Sequence, residues 1–312
     1  MWQSSDVGKA TFTAAVADAA QLFHTQKVQA NPTSRPAPLL YESHCHTPLC
    51  RHSVGEPEAY AQVAYERNLA GLNITCHGPT PREWGHCMGR ADWDQYLRIC
   101  ARAREAYAGK VDVKTGIECD FLPSLVGYWR EFLPRYQLSH VLGSVHPQVA
   151  DYRRQYWNGD PLDYQKQYFK LLAQAAESGL FDTLSHPDLV KNTVSDDWDL
   201  EDIWPFIEQQ LDRIAATDTA MELNTSGLNK RIPEMNPAPA ILRAMQKRGI
   251  AVVLGADAHV PERVGADFED ALDLLRDCGY SQVSFFVDRV RRDVSIEAAK
   301  ASLKKLESVP FD

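Results

Sequence analysis

Histidine and carboxylate side chains, which bind metal ions through nitrogen and oxygen, stand at the ends of several short apolar runs in this sequence. They are His44, His46, His77, Glu118, Asp120, His146, His186, Asp257 and His259. Proline follows at once in His146-Pro147 and His186-Pro187. Because proline cannot donate a hydrogen bond to a continuing strand ladder, these runs read as strands that stop there. Donors of these types suit zinc, iron or manganese better than calcium or magnesium.

Side-chain alternation is a second indication that these residues act together. In a strand, residues i and i+2 point to the same side, so His44 points with His46 and Asp257 points with His259. The residues beside the candidate ligands are predicted to face away and pack in the core; they are Cys45, Cys76, Cys119 and Ala258. A single histidine at a strand end is usually an ordinary hydrogen-bonded residue. Burying this many ionisable groups, however, reduces the stability of the fold unless the groups are paired or bind metal.

Alternating strand-like and helix-like segments supply the scaffold that would bring these residues together. The predicted strands are Leu39–His46, Gly71–His77, Val113–Phe121, His140–His146, Thr183–His186, Ala220–Ser226 and Ala251–His259, with Gln282–Val287 as an eighth strand or an edge. The predicted helices are Glu56–Asn68, Trp93–Tyr107, Pro161–Ser178, Asp202–Thr217, Pro237–Arg248 and Phe268–Cys278. Repeated β-then-α units indicate a parallel sheet or a barrel. In a parallel barrel all C-terminal strand ends share one face, where active sites are built.

Composition limits the class of protein and of partner. The chain has 312 residues, a formal net charge of −9 and no apolar run near the roughly 20 residues that a membrane span needs. Basic residues occur in short pairs such as Arg153-Arg154, not in a stripe, so nucleic acid is an unlikely partner. Seven cysteines, an odd number, without an N-terminal signal segment argue against a disulfide framework. A cytoplasmic location is the default expectation.

The chain is predicted to have one large domain and a short extension. Residues 1–38 form the extension, with a helix over Ser4–Phe23 and a Pro-rich linker over Asn31–Pro38. Residues 39–312 form a single domain that contains every candidate ligand. The oligomeric state stays open.

Six segments, in order along the chain, resemble the motifs of the PHP (polymerase and histidinol phosphatase) superfamily. They are His44–Pro48 with His52 shortly after it, Ile74–Pro79, Gly116–Asp120, Gly143–His146, Ser185–Leu189 and Asp257–His259. Within the superfamily, His186–Lys191 and Glu222–Leu228 look most like the histidinol-phosphatase branch. The resemblance covers roughly residues 40–287 and implies an α/β fold, a distorted (β/α)7 barrel with the active site at the C-terminal ends of its strands.

The same resemblance implies two or three divalent or trivalent metal ions per chain, of zinc, iron or manganese. The ligand groups that it implies are His44, His46, Glu118 and Asp257 for one metal, Glu118, His146 and His186 for a second, and His52, His77 and His259 for a third. Every expected position carries a competent ligand, so a degenerate, inactive relative is not expected. Glu118, Asp257 and His259 are the candidate catalytic residues.

The expected chemistry is hydrolysis of a phosphate ester by a metal-bridging hydroxide, because metal coordination lowers the pKa of water toward neutrality. Additional contacts to the substrate are expected from loop residues that follow predicted strands. These are Lys191, Arg231, Arg51, Lys230 and Arg263, together with His86.

The leading hypothesis is a phosphomonoesterase that converts L-histidinol phosphate to histidinol and phosphate. Candidate acids for the substrate's amine are Asp120, Asp188 and Glu234. The enzymatic alternatives are a PHP-type nuclease or nucleotide phosphodiesterase and a phosphatase of another small metabolite. A metal-binding module without catalytic activity is the alternative from a different class.

Overall fold

The computed structural model describes residues 36–304. The predicted helix Ser4–Phe23 and residues 31–35 of the linker Asn31–Pro38 lie outside the described residues. The division of the chain into an extension and a single domain therefore stays a prediction.

Strands and helices alternate along the described chain, as the sequence pattern predicts. The strands are β1 Tyr41–Cys45, β2 Gly71–Ile74, β3 Asp112–Thr115, β4 Ile117–Asp120, β5 Val141–Ser144, β6 Thr183–Leu184, β7 Ala220–Asn224, β8 Val252–Gly255, β9 Gln282–Val287 and β10 Val290–Ser295. The helices are α1 Pro57–Glu66, α2 Trp93–Ala106, α3 Val126–Phe132, α4 Ala150–Tyr156, α5 Pro161–Glu177, α6 Leu200–Ala215, α7 Pro239–Lys247, α8 Phe268–Asp277 and α9 Ile296–Ser302. The α/β class with parallel strands is confirmed.

The predicted strand Val113–Phe121 is two strands, which corrects the sequence interpretation. β3 pairs with β2, whereas β4 pairs with β5, and the chain changes sheet at Gly116. A Cβ atom at Gly116 would lie 2.6 Å from the carbonyl oxygen of His140. Only glycine allows the backbone to pass this close to its neighbour. The run Val113–Phe121 keeps the same alternation of polar and apolar residues on both sides of Gly116, so periodicity could not reveal the crossing.

Two sheets result, and short contacts join them at both seams. One sheet has the order β1-β2-β3 and the other β10-β9-β8-β7-β6-β5-β4. At one seam Gly78 N–H donates to the Glu118 carbonyl over 2.8 Å. At the other, His46 N–H donates to the Ala258 carbonyl over 2.9 Å. The two sheets thus meet at both edges and form a distorted barrel that is not fully closed. The chain passes from one sheet to the other between β3 and β4.

The strand Gln282–Val287 lies beside this ring. β9 pairs in parallel with β8 through Ser284 and Val253, and β10 pairs with β9 in antiparallel fashion. Within its sheet β8 lies between β7 and β9, and the chain just beyond β8 pairs with β1 through Ala258 and Cys45. The predicted strand Gln282–Val287 is thus confirmed as β9, but β10 and not β9 lies at the edge of the sheet.

Apolar side chains of strands and helices fill one large core, and Ala220, Val253 and Phe286 form a small second cluster. Cys45, Cys76 and Cys119 are completely buried in the large core, as alternation beside the candidate ligands predicts. Helix α5 shows how local sequence defines an element: the Asp160 carboxylate accepts from Leu162 N–H over 2.9 Å, and Pro161 begins the helix. None of the helices within residues 36–304 combines the length and apolar character that a membrane span requires.

Candidate metal centre

The predicted ligands meet at the end of the barrel where the strands give way to loops. His44 lies on β1 and Glu118 on β4, and the others stand close after a strand end. Those that follow β1, β2, β5, β6 and β8 are His46, His77, His146, His186, Asp257 and His259. His52 lies in the loop after β1. Parallel strand ends thus bring together residues that are far apart in the sequence.

Glu118 is fully buried at the centre of the cluster. Its Oε2 atom lies 2.7 Å from His77 Nδ1 and 3.4 Å from His44 Nε2. Its Oε1 atom lies 3.3 Å from His186 Nε2 and 3.4 Å from His146 Nε2. Each oxygen of one carboxylate thus faces two imidazoles, an arrangement that suits a carboxylate shared by two metal ions.

Asp257 faces the histidines of β1. Its Oδ1 atom lies 3.0 Å from His46 Nε2 and 3.5 Å from His44 Nε2. The backbone φ is 49° at Asp257 and 30° at His186. A residue other than glycine occupies this left-handed region at a cost of about 1–3 kcal/mol, and such strain concentrates at functional sites.

A pair of imidazoles at the solvent edge has the arrangement of two ligands on one cation. His52 Nδ1 lies 2.7 Å from the Cys50 carbonyl, and His259 Nδ1 lies 2.9 Å from the Asp257 carbonyl. Because a carbonyl can only accept, both Nδ1 atoms carry the proton of the neutral ring. The two Nε2 atoms then face each other with lone pairs, 2.9 Å apart. A cation between them removes the repulsion.

His44 and His146, deeper in the site, are oriented in the same way, with Nδ1 donating to an oxygen and Nε2 directed into the cluster. His44 Nδ1 donates to Glu222 over 2.8 Å, and His146 Nδ1 donates to Asp120 over 2.6 Å. In the neutral ring, the form that binds metal, each Nε2 therefore presents a lone pair to Glu118 at 3.4 Å. His44 Nε2 and Glu118 Oε2 are buried and form no hydrogen bond. Because buried polar atoms are nearly always satisfied, this donor set fits bound metal ions.

The electrostatics of the cluster also favour a cation. Burial alone would raise the pKa of Glu118, but the imidazoles of His77, His44 and His146 hold it well below its usual value. Burial lowers the pKa of His146, yet Asp120 and Glu118 raise it to about 10. The carboxylates thus create a field that attracts positive charge, and metal binding would displace the proton.

Glu222 is a functional residue that sequence reasoning did not single out, although its motif was recognised. Its Oε1 accepts from His44 Nδ1–H over 2.8 Å, and its Oε2 accepts from the His186 backbone N–H over 2.8 Å. A Cβ at Gly255 would lie 1.9 Å from Glu222 Oε1 and 2.8 Å from His44 Cβ. Glycine on β8 therefore makes room for this pair. The available signal was the inward position of Glu222 on β7.

Replacement of Glu222 by glutamine should lower activity by about 10- to 100-fold, the usual range when the hydrogen-bond partner of a metal-bound histidine is lost. Glutamine keeps the volume, but only one of its two terminal atoms is an acceptor, so the hydrogen bond from either His44 or the His186 backbone is lost. Metal affinity should fall along with kcat/KM, which titration with a metal-indicator dye can measure. A variant with unchanged metal affinity and activity would contradict the role of Glu222.

Two of the acids predicted to bind the substrate's amine already accept hydrogen bonds from other protein groups, which corrects that expectation. Asp120 is buried and accepts from His146 and from His86 Nε2, the latter over 3.0 Å. Asp188 is fully buried, accepts from the Asn236 side chain and is 2.8 Å from the Ala238 N–H. Neither carboxylate is available to a ligand.

Lys191 also has a structural position in place of the predicted phosphate contact. It is fully buried, and its Nζ donates to Asp188 over 3.0 Å, to Glu234 over 2.9 Å and to the Met235 carbonyl over 3.1 Å. All three ammonium hydrogens are thus used. The interaction ties the loop after β6 to the loop after β7 and also engages Glu234, the third acid predicted to contact the amine.

A cavity of about 810 Å³ opens directly over the predicted ligands. His52, His77, His146, His186, Asp257 and His259 form part of its wall. Of the predicted substrate contacts, Lys230 and His86 line it. Arg263 instead pairs with Asp267 at 2.7 Å, and Arg231 pairs with Asp196 at 2.6 Å beside a separate cavity of about 170 Å³. Arg51 is exposed and is not part of the wall.

Comparisons with known proteins agree with this geometry. The PHP domain family model matches residues 42–226. A Deinococcus radiodurans protein named "Probable histidinol-phosphatase" is 37% identical over 255 residues, which cover 79% of this chain and 96% of that protein. The histidinol-phosphatase of Bacillus subtilis is 24% identical over 274 residues, covering 74% of this chain and 98% of that protein.

The fold has a counterpart among solved structures. The crystal structure of histidinol phosphate phosphatase from Lactococcus lactis, complexed with zinc, L-histidinol and phosphate, superposes with a TM-score of 0.70. The match has 16% sequence identity and covers 81% of this chain and 98% of that one. At this identity the likeness concerns the fold alone.

Proposed function

Because the chain belongs to the PHP domain family, we propose that it is a metal-dependent phosphomonoesterase that hydrolyses L-histidinol phosphate to histidinol and phosphate. The observation that carries the proposal is the set of imidazole Nε2 lone pairs directed at Glu118 and at one another beneath an open cavity. The Deinococcus radiodurans relative, which aligns over nearly its whole length, supports the substrate.

The proposed ligand groups follow the contacts in the site. His44, His46, Glu118 and Asp257 hold one metal, Glu118, His146 and His186 hold a second, and His52, His77 and His259 hold a third. Their nitrogen and carboxylate donors suit zinc, iron or manganese. When bound, such ions supply Lewis acidity and lower the pKa of water toward neutrality. Glu118 belongs to the first two of these groups, so it fixes their positions relative to each other.

Lys230 binds the phosphate from the side of the cavity next to Asp257. Its Nζ donates to Ser226 Oγ over 2.8 Å, and Ser226 Oγ lies 3.3 Å from Asp257 Oδ2. Among the wall residues that belong to the described range 36–304, Lys230 is the one lysine or arginine. It therefore provides the protein's own positive charge for the phosphoryl oxygens, in addition to the metal ions.

The substrate proposal predicts a preference among phosphate esters. We expect kcat/KM for histidinol phosphate to exceed that for phenyl phosphate at least tenfold and that for bis(4-nitrophenyl) phosphate far more. A diester presents a second substituent where a metal ion or Lys230 should contact an oxygen. Steady-state kinetics on metal-loaded protein measure kcat/KM for the three esters. Faster turnover of the diester would contradict a phosphomonoesterase, and equal turnover of both monoesters would contradict the named substrate.

A further inference from the structure

Charged residues in the cavity wall are separated into two sides. Apart from the metal ligand Asp257, the carboxylates of the wall are Glu83 and Asp151. Glu83 follows β2 and Asp151 follows β5, and only β4 separates these two strands in the ring. Lys230 follows β7, on the far side of the ring. A substrate that spans the cavity therefore meets positive charge on one side and negative charge on the other.

The acidic side also carries an aromatic surface. Trp84 and His86 follow Glu83 in the same loop, and their ring centroids are 5.7 Å apart with an interplanar angle of 31°. Both are partly exposed and both line the cavity. An indole face attracts cations and planar rings, and the attraction grows as water is excluded. The loop thus offers a flat aromatic contact beside a carboxylate.

His86 has a fixed orientation and one free nitrogen. Its Nε2 lies 3.0 Å from Asp120 Oδ2, and Asp120 also accepts from His146 Nδ1 at 2.6 Å. Because an ionised carboxylate can only accept, Nε2 of the neutral ring carries the proton and Nδ1 is an acceptor. His86 is in contact with the candidate metal ligand His146, at 5.4 Å between centroids. It therefore presents a hydrogen-bond acceptor close to the metal centre.

Asp151 completes this side from the first turn of α4. Its side chain is half-buried, and Oδ1 lies 3.0 Å from Nη1 of Arg154, which is 70% exposed. An exposed ion pair of this kind contributes little and is readily exchanged for another cation. Glu83 is exposed and lies in the loop after β2.

We propose that Glu83, Trp84, His86 and Asp151 form the specificity subsite, which binds a planar, positively charged group at the end of the substrate opposite the phosphate. The inference rests on the proposed function and assigns its substrate selectivity to particular residues. Lys230 and the metal ligands hold the phosphoryl end, while the acidic aromatic side holds the cationic end. Simple aryl phosphates lack the cationic end and therefore use only the part of the site that binds the phosphoryl group.

The test compares two substrates in matched variants. In the variant E83Q/D151N, kcat/KM for histidinol phosphate should fall about tenfold, a common consequence of losing hydrogen bonds to charged groups. The value for phenyl phosphate should stay within twofold. W84L should reduce the preference by about three- to tenfold, in the range of a partly desolvated cation–π contact. The control E105Q/E297Q removes the same charge from exposed positions on α2 and α9.

The outcomes separate this inference from the function on which it rests. Wild-type protein that hydrolyses neither monoester refutes the proposed function. Wild-type protein that hydrolyses both with equal efficiency contradicts the named substrate and the specificity subsite together. An E83Q/D151N variant that retains the wild-type preference overturns the specificity subsite alone and leaves the proposed function intact. An equal loss on both substrates, or the same selective loss in E105Q/E297Q, also overturns it. Selective loss in E83Q/D151N alone establishes it.

Discussion

Replacement of Glu118 by glutamine is expected to lower kcat on the order of 1,000-fold, beyond the 10- to 100-fold usual for residues that only support a ligand. Glu118 faces two imidazoles with each oxygen and lies between both deep ligand groups. Glutamine has the same shape, but it removes the negative charge and turns one acceptor into a donor. That donor would point at nitrogen lone pairs or at a metal ion, so both groups should lose affinity.

The comparison variant for Glu118→Gln is His52→Ala. His52 belongs to the exposed ligand group alone, and its Nε2 contacts His259. Its loss should affect one metal and reduce kcat by about tenfold to 100-fold. Circular dichroism and thermal unfolding of both variants distinguish a chemical defect from misfolding. If Glu118→Gln proves as mild as His52→Ala, or milder, Glu118 is not the shared ligand.

Removal of the metal ions should abolish turnover and lower stability reversibly. The apo protein keeps buried carboxylates and imidazoles whose charges are only partly balanced, and a ligand that binds the folded state alone stabilises it. At a free metal concentration 100 times Kd, this linkage amounts to about 2.7 kcal/mol per site. Chelation should therefore reduce the Tm as well as the rate, and zinc, manganese or iron should restore both.

Calcium is the control for this experiment. It prefers six to eight oxygen ligands, whereas the candidate site offers mainly imidazole nitrogen. Calcium should therefore restore neither the Tm nor the activity. Apo protein with full activity, verified to contain no metal, would exclude the proposed chemistry.

The clustering of the candidate ligands could be predicted from the sequence because its signal is local. His44 and His46, or Asp257 and His259, share a face by strand alternation, and the parallel arrangement brings strand ends together. The structure places these four residues in contact. Family resemblance supplied His52, which no periodicity marks, and the structure places it against His259.

Features that depend on tertiary packing could not be predicted. The crossing at Gly116 and the space that Gly255 leaves for Glu222 depend on the neighbouring strands. Lys191 follows a motif strand closely, as a phosphate contact would, yet the folded loops surround it with three acceptors. Proximity to a motif in sequence therefore identifies ligands on strands better than contacts on loops.

The distribution of acids around the cavity shows the same limit. Asp120 is adjacent to a predicted ligand and was expected to meet the substrate, but it orients His146 instead. Glu83 lies in a loop and Asp151 in the first turn of α4, both outside the motifs, and only the arrangement of the strand ends brings them to one side of the cavity. Selectivity for the organic part of a substrate is thus determined by loops that sequence patterns do not mark.

Several metal ions, held by the nine residues of the three proposed ligand groups, drive the reaction in this proposal. The metal content of catalytically active protein tests this most directly. Protein purified without chelators should contain two or three zinc, iron or manganese ions per chain by inductively coupled plasma mass spectrometry. Stepwise reconstitution of apo protein should restore kcat only as the second ion binds. Full activity with one ion per chain or fewer would contradict the account.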